Sequence, residues 1–187
     1  LAAVCNQLSA FDELIKAGAD VNQETNGKTA LMWACRLDQA DIAKYLLQNS
    51  ADPNHESETG DSPLLAACQF GSKKLLQILE QHGADFYKHT STGACALLAA
   101  TKAENGVAMS YILDNHPVAT LARTIAKALL CACASGNTKA VEILVAAGAN
   151  VNAEDATGVT PLIAAVSNNQ VGVVRCLVMN HFTFTDN

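Results

Sequence analysis

The residues of this 187-residue chain whose types could do chemistry are seven cysteines and five histidines. Cys131-Ala132-Cys133 has the composition of a metal or redox pair. On a helix, however, residues i and i+2 point to different sides, and no second Cys/His pair stands at zinc spacing. Cys35, Cys68 and Cys133 share one position of a recurring pattern where a small side chain is needed. Free Cys in such a place behaves as a small apolar residue, so packing is the expected role. An odd cysteine count, in a chain long enough to bury its own core, reads as reduced thiols of a cytosolic or nuclear protein rather than a disulfide framework. The histidines are His55, His82, His89, His116 and His181. Three of them (His82, His116 and His181) fall at or beside the corners that close each recurring segment, where a helix C-terminus favours a cation. The chain contains no H-E-x-x-H, G-x-S-x-G, Walker or G-x-G-x-x-G motif. Its carboxylates are dispersed and no Cys–His pair emerges. The expectation is a chain without catalytic residues, metal or cofactor.

The elements that must position these residues follow from composition. Half of the residues are apolar but only 5% are aromatic, because 33 alanines and 21 leucines supply most of the apolar share. This disfavours a β-sandwich or barrel and favours helices packed closely through small faces. Charged residues are too few and apolar ones too many for disorder. The net charge is −6 with the twelve basic residues scattered, so a nucleic-acid partner is not expected. The longest apolar stretch, Val118 to Ala134, is interrupted by Arg123 and Lys127 and is not expected to insert in a membrane. The first residue is Leu1, which suggests a fragment.

A period is visible throughout. Turn glycines recur at Gly27, Gly60, Gly93 and Gly158, spaced by 33, 33 and 65 residues. Thr29-Ala30-Leu31, Ser62-Pro63-Leu64, Cys95-Ala96-Leu97 and Thr160-Pro161-Leu162 hold the same register, as do Ala34-Cys35, Ala67-Cys68, Ala132-Cys133 and Ala165-Val166. Each segment closes on Gly18-Ala19-Asp20, Ser50-Ala51-Asp52, Gly83-Ala84-Asp85 or Gly148-Ala149-Asn150. Within one segment, Gly60 serves a turn, Ser62 caps a helix and Pro63 occupies its first position. That helix runs to about Phe70 with Leu64, Ala67 and Cys68 on one side, and Gly71 ends it. A second helix, about Lys73 to Gln81, carries Leu75, Leu76, Ile78 and Leu79 in a stripe, and Gly83 suits a left-handed cap. Neither helix can bury its stripe alone, so neighbours must stack.

These landmarks resemble the ankyrin repeat family. The resemblance implies an all-α solenoid, an elongated curved stack of antiparallel helix pairs with β-hairpin-like finger loops. It covers essentially the whole chain as a single domain of six repeats: 1–23, 24–56, 57–89, 90–121, 122–154 and 155–187, the first and last partial. Both ends look cut inside a longer array, without polar capping repeats. Two departures stand out. The His usual after Pro-Leu is replaced by Met32, Leu65, Leu98, Leu130 and Ile163. At the junction of the fourth and fifth repeats, His116-Pro117-Val118 replaces Gly-Ala-Asp and no turn glycine follows. The finger there is expected to be absent or helical, so that residues 117–127 extend the next helix.

The same resemblance places partner-binding residues on the finger tips and on the exposed ends of the first helices, which together would line a concave surface. The second repeat offers Thr25, Asn26, Lys28, Trp33, Arg36 and Leu37. The third offers Glu58, Thr59, Asp61, Gln69 and Phe70, and the fourth Ser91, Thr92 and Lys102. The sixth offers Ala156, Thr157, Val159, Ser167 and Asn168. Phe70 stands where a polar residue is common, which suits an exposed anchor; Trp33 divides between packing and groove. The run from Glu56 to Asp61 carries three acids and suits a partner with a basic segment. Asn22, Asn54 and Asn152 match the turn asparagines that related arrays present for hydroxylation, although the same residues also serve the turn. The function expected is a monomeric, non-catalytic module that binds a protein or peptide. The alternative is a spacer or regulatory segment of a larger channel, enzyme or bacterial effector.

Overall fold

The computed structural model describes residues 13–183. The opening of the first repeat at Leu1-Ala2-Ala3, together with Cys5 and the side chain of His181, lies outside what is described. A helical turn at 13–16 is followed by α1 (Ala30–Arg36), α2 (Ala40–Gln48), α3 (Pro63–Phe70), α4 (Lys73–Gln81), α5 (Ala96–Lys102), α6 (Gly106–Asn115), α7 (Val118–Ser135), α8 (Thr138–Ala146), α9 (Pro161–Ser167) and α10 (Val171–Thr183). Among the described residues the only β pairing is an isolated bridge between Thr25 and Lys28.

The helix starts are written in the sequence. Thr29, Ser62 and Thr160 are extended and accept, through their hydroxyls, the N–H of Met32 at 3.3 Å, Leu65 at 3.2 Å and Ile163 at 3.3 Å. These bonds satisfy amides that have no partner inside the helix. Asn105 and Asn137 do the same for α6 and α8. The corners that close the second, third and fifth repeats hold a left-handed residue. Gly83 (φ 85°) and Gly148 (φ 87°) supply it at two corners, while Ser50 (φ 68°) takes the same place in the second repeat without the freedom of glycine.

The chain divides into two compact units, Leu1–Ala99 and Ala100–Asn187, with α5 crossing the division. In the first, α1 packs on α2 and α3, α2 on α4, and α3 on α4. The facing positions are small: Ala34, Cys35, Ala67 and Cys68 have no exposed surface, so the α1 and α3 backbones can approach closely. Leu75, Leu76, Ile78 and Leu79 are buried, as the stripe on α4 requires. In the second unit, α7 packs on α8 and α9, α8 on α6 and α10, and α9 on α10.

The irregular junction is helical. Residues 118–135 form the continuous α7, and Ile125, near which a finger tip would fall in a regular repeat, is 2% exposed on it. Without a turn glycine the stretch has no means to reverse, and Pro117 takes the N-cap position. The buried residues Leu121, Thr124, Ile125, Ala128, Leu129, Ala132 and Cys133 follow a 3–4 spacing, the stripe of an amphipathic helix lying on a core. By length and composition α7 is also long and apolar enough to cross a bilayer. Arg123 and Lys127 interrupt it on the side away from that stripe, and both are exposed.

Candidate functional site

The fingers take two forms. In the second repeat, Asn26 (φ 54°) and Gly27 (φ 69°) are both left-handed, and Thr25 and Lys28 exchange backbone hydrogen bonds of 3.0 and 3.3 Å. This is the two-residue type I′ hairpin that Asn-Gly favours. The other fingers are one residue longer. Ser57, Thr90 and Asp155 each accept, through a side-chain oxygen, the N–H four residues on (Asp61, Ala94 and Val159) and pair with Thr59, Thr92 and Thr157 two residues on. The pattern Ser/Thr/Asp-x-Thr-Gly thus closes its own turn. In the last finger the Thr157 hydroxyl and the Val159 and Thr157 amides hold the Asp155 carboxyl below its usual range.

Within the first compact unit, successive fingers are laced together. Lys28 pairs with Asp61, His55 Nε2 meets Glu24 at 2.6 Å, and Lys88 approaches Glu56 at 3.5 Å. The Ser91 amide donates to Glu56 at 2.7 Å, and this bond first, with Lys88, lowers the carboxyl's pKa. Of the three acids proposed to steer a basic partner, Glu56 and Asp61 therefore already serve neighbouring fingers. Glu58, exposed at its tip, has no polar partner among the described residues.

The inner helix ends bring a different group together. The Arg36 guanidinium lies over the Phe70 ring, 4.8 Å from its centroid. Phe70 is 48% exposed and Leu37 43%, while Trp33 and Gln69 are half-buried. A cleft of about 20 Å³ beside them is lined by Lys28, Met32, Arg36, Asp61, Ala66 and Gln69. Four expected binding residues from two repeats thus share one cleft, and a fifth, Phe70, is stacked at its edge. Thr25, Asn26, Thr59, Ser91 and Thr92 are exposed on the finger tips. Lys102, exposed at the end of α5, falls in the second compact unit. In the last repeat Ala156 and Thr157 are exposed and Val159 is half-buried. There Ser167 and Asn168 spend their side chains on the Ala164 carbonyl, at 3.2 and 2.9 Å.

The three turn asparagines separate. Asn22 donates to the Ser50 carbonyl at 3.1 Å and accepts from the Asp52 amide at 2.8 Å. Asn54 repeats this with Gly83 and Asp85, both at 2.8 Å. Each amide thereby ties its own corner to the next one. The side chain of Asn152 has no such partner among the described residues, since α10 runs on to Thr183 where a further corner would otherwise begin.

Among the described residues no group of three or more His, Cys, Asp or Glu could hold a metal ion, and Cys35, Cys68, Cys95, Cys131, Cys133 and Cys176 are free thiols. Burial, with the neighbouring Cys68, pushes the Cys35 thiol far up, and burial does the same at Cys68. Cys133 is pushed up to about 12 by burial and Cys176. Such thiols are poor nucleophiles at neutral pH.

Sequence reasoning did not single out one apolar patch. Leu162, Ile163 and Val166 on α9 are 43%, 51% and 61% exposed, whereas Leu64, Leu65 and Cys68, at the same register on α3, are at most 6% exposed. The available signal was the lack of polar substitutions at these positions in the final repeat. The lacing of the fingers also went unnoticed, although its signal was legible as Lys28 and Asp61, and Glu56 and Lys88, standing opposite in charge about one repeat apart.

The ankyrin-repeat family model matches residues 1–90, 39–122 and 97–187. This chain belongs to the ankyrin repeat family. It is 41% identical over 54 residues to an ankyrin repeat and KH domain-containing protein of Caenorhabditis briggsae, a match covering 29% of this chain and 2% of that protein. It is 40% identical over 53 residues to mouse ankyrin repeat domain-containing protein 40, covering 27% and 15% respectively. The chain thus spans a small part of the length of these relatives. Among solved structures, the ankyrin repeat domain of Bcl-3, a member of the IkappaB protein family, superposes with a TM-score of 0.79 at 22% identity. That match covers 96% of this chain and 83% of the other, and it shows the shared fold: an all-α ankyrin solenoid. Ankyrin repeats are in general protein–protein interaction modules, and they are typically non-catalytic.

Proposed function

We propose that this chain is a non-catalytic, monomeric interaction module of an intracellular protein, cytoplasmic or nuclear, which binds a protein or peptide across the finger tips and inner helix ends of its second and third repeats. The observation that carries the proposal is the exposed Arg36–Phe70 stack beside the Lys28/Asp61 cleft. An aromatic ring held by a cation, with Leu37 next to it, presents apolar area whose side chains are already partly ordered. Less ordering entropy is then lost when a partner docks. A preference for basic segments would rest on Glu58, because Glu56 and Asp61 are engaged. Hydroxylation suits Asn152 better than Asn22 or Asn54, whose amides hold the next corner. A spacer role, the competing reading, would suit an evenly polar surface, whereas Leu37 and Phe70 are exposed here.

The test is capture from native lysate with immobilised wild-type chain and with Phe70→Ala/Arg36→Glu. The double substitution should remove specific prey while circular dichroism and the urea midpoint stay close to wild type. Identical prey sets would reject this surface.

A further inference from the structure

We propose a second docking surface, independent of the first: the exposed side of the N-terminal half of α7, which takes an acidic segment of a partner protein. Between Asn115 and Val141 the sequence has no carboxylate, in a chain whose net charge is −6. Within that stretch Arg123 and Lys127 stand at i and i+4 on the side of α7 opposite its buried stripe. Both are exposed, and neither has a hydrogen bond, ion pair or ring contact among the described residues. Val118, 38% exposed, opens the same half of the helix. In regular repeats this stretch would form a finger; here it is helix, and its outer side stays open.

The charge pattern opposes the stability of the helix. Like charges at i and i+4 destabilise a helix slightly, whereas Glu followed by Lys at that spacing stabilises it. The first turn of α7 holds no acidic residue and its N-cap offers no side-chain hydrogen bond, although a negative group there would be favoured. Each of these local rules is broken in the same sense, leaving positive charge unmatched. Breaches of local preference are expected where function sets the residue, and an acidic segment lying along α7 would neutralise all of them at once. Nucleic acid is the poorer match, because a phosphate backbone needs a longer run of cations than two.

The test uses the full chain and fluorescence anisotropy. The probes are a labelled 12-residue peptide with four glutamates and two leucines, its glutamine counterpart, and a labelled single-stranded oligonucleotide. Wild type should prefer the glutamate peptide by about tenfold, the size of two exposed ion pairs, and the preference should shrink as salt is raised. Arg123→Glu/Lys127→Glu should abolish it, while Lys44→Glu, an exposed position on α2 outside both surfaces, should leave it unchanged. Arg123→Glu alone should raise or preserve the urea midpoint while weakening the peptide. Equal binding of the two peptides, a preference that survives the double reversal, or tighter binding of the oligonucleotide would each overturn the proposal. A fall in the urea midpoint of Arg123→Glu would overturn it too, by showing that Arg123 serves the fold.

Discussion

Replacing Asn54 by alanine tests how the corners hold one repeat to the next. The amide makes two hydrogen bonds of 2.8 Å, one to the Gly83 carbonyl and one from the Asp85 amide, and both span about thirty residues of sequence. A protein hydrogen bond contributes about 0.5–1.5 kcal/mol net, and this corner is exposed enough for water to replace part of the loss. The low end applies, so Asn54→Ala should cost about 1–2 kcal/mol. For a chain of this length that is a fall in Tm of about 2–8 °C. In urea it is a fall in midpoint of about 0.5–1 M, with a slope of about 2 kcal/mol/M. The internal control is Asn152→Ala, at the same register but without a partner on a following corner. It should stay within about 0.5 kcal/mol of wild type, as surface substitutions usually do. Urea titrations of both variants, followed by circular dichroism at constant slope, decide the matter. Equal losses at the two positions would refute the argument, because the register would then matter and the cross-corner bonds would not.

Two further outcomes follow from the geometry. Gly60 and Gly93 occupy the same turn position at φ 78° and 77°, but a Cβ on Gly60 would meet Thr92 Cγ2 at 2.7 Å, while one on Gly93 would meet nothing within 4 Å. Gly93→Ala should therefore cost only the left-handed strain, about 1–2 kcal/mol, and Gly60→Ala measurably more in the same urea titration. The buried thiols give a pH dependence. The folded-state pKa of Cys133 is raised from 9.0 to about 12, so the folded form retains a proton that the unfolded form loses. The associated stability is complete below pH 9 and declines as pH rises from there towards 12. Urea midpoints measured from pH 8 to 10.5 should fall, and the slope should be shallower in Cys133→Ala; an unchanged slope would refute the assignment.

Most of the scaffold was legible because each repeat writes its own local rules. Thr29, Ser62 and Thr160 cap helices with hydroxyls two bonds from the backbone, and Gly83 and Gly148 supply left-handed corners. Even the missing finger could be read, since a stretch without glycine from Val118 to Ser135 has no means to turn and ample means to stay helical. Such choices are settled within a few residues, so sequence reveals them directly. The candidate surface was legible only in part. Register placed Arg36, Gln69 and Phe70 near one another but left open what each side chain would touch.

Those contacts were decided by stacking. Lys28 and Asp61 both looked available to a partner, yet they meet each other, and Glu56 is taken by Ser91 and Lys88 of the next finger. Thr157 and Asn168, although exposed, donate to local acceptors, Asp155 and the Ala164 carbonyl. Arg36 finds the Phe70 ring only because α1 and α3 pack through Ala34, Cys35, Ala67 and Cys68, small enough to bring the two helix ends together. By itself the sequence determined the period, the helices and the small residues that let them stack. Which charged and aromatic side chains remain for a partner depends on distances between repeats. Those distances exist only once the helices are packed.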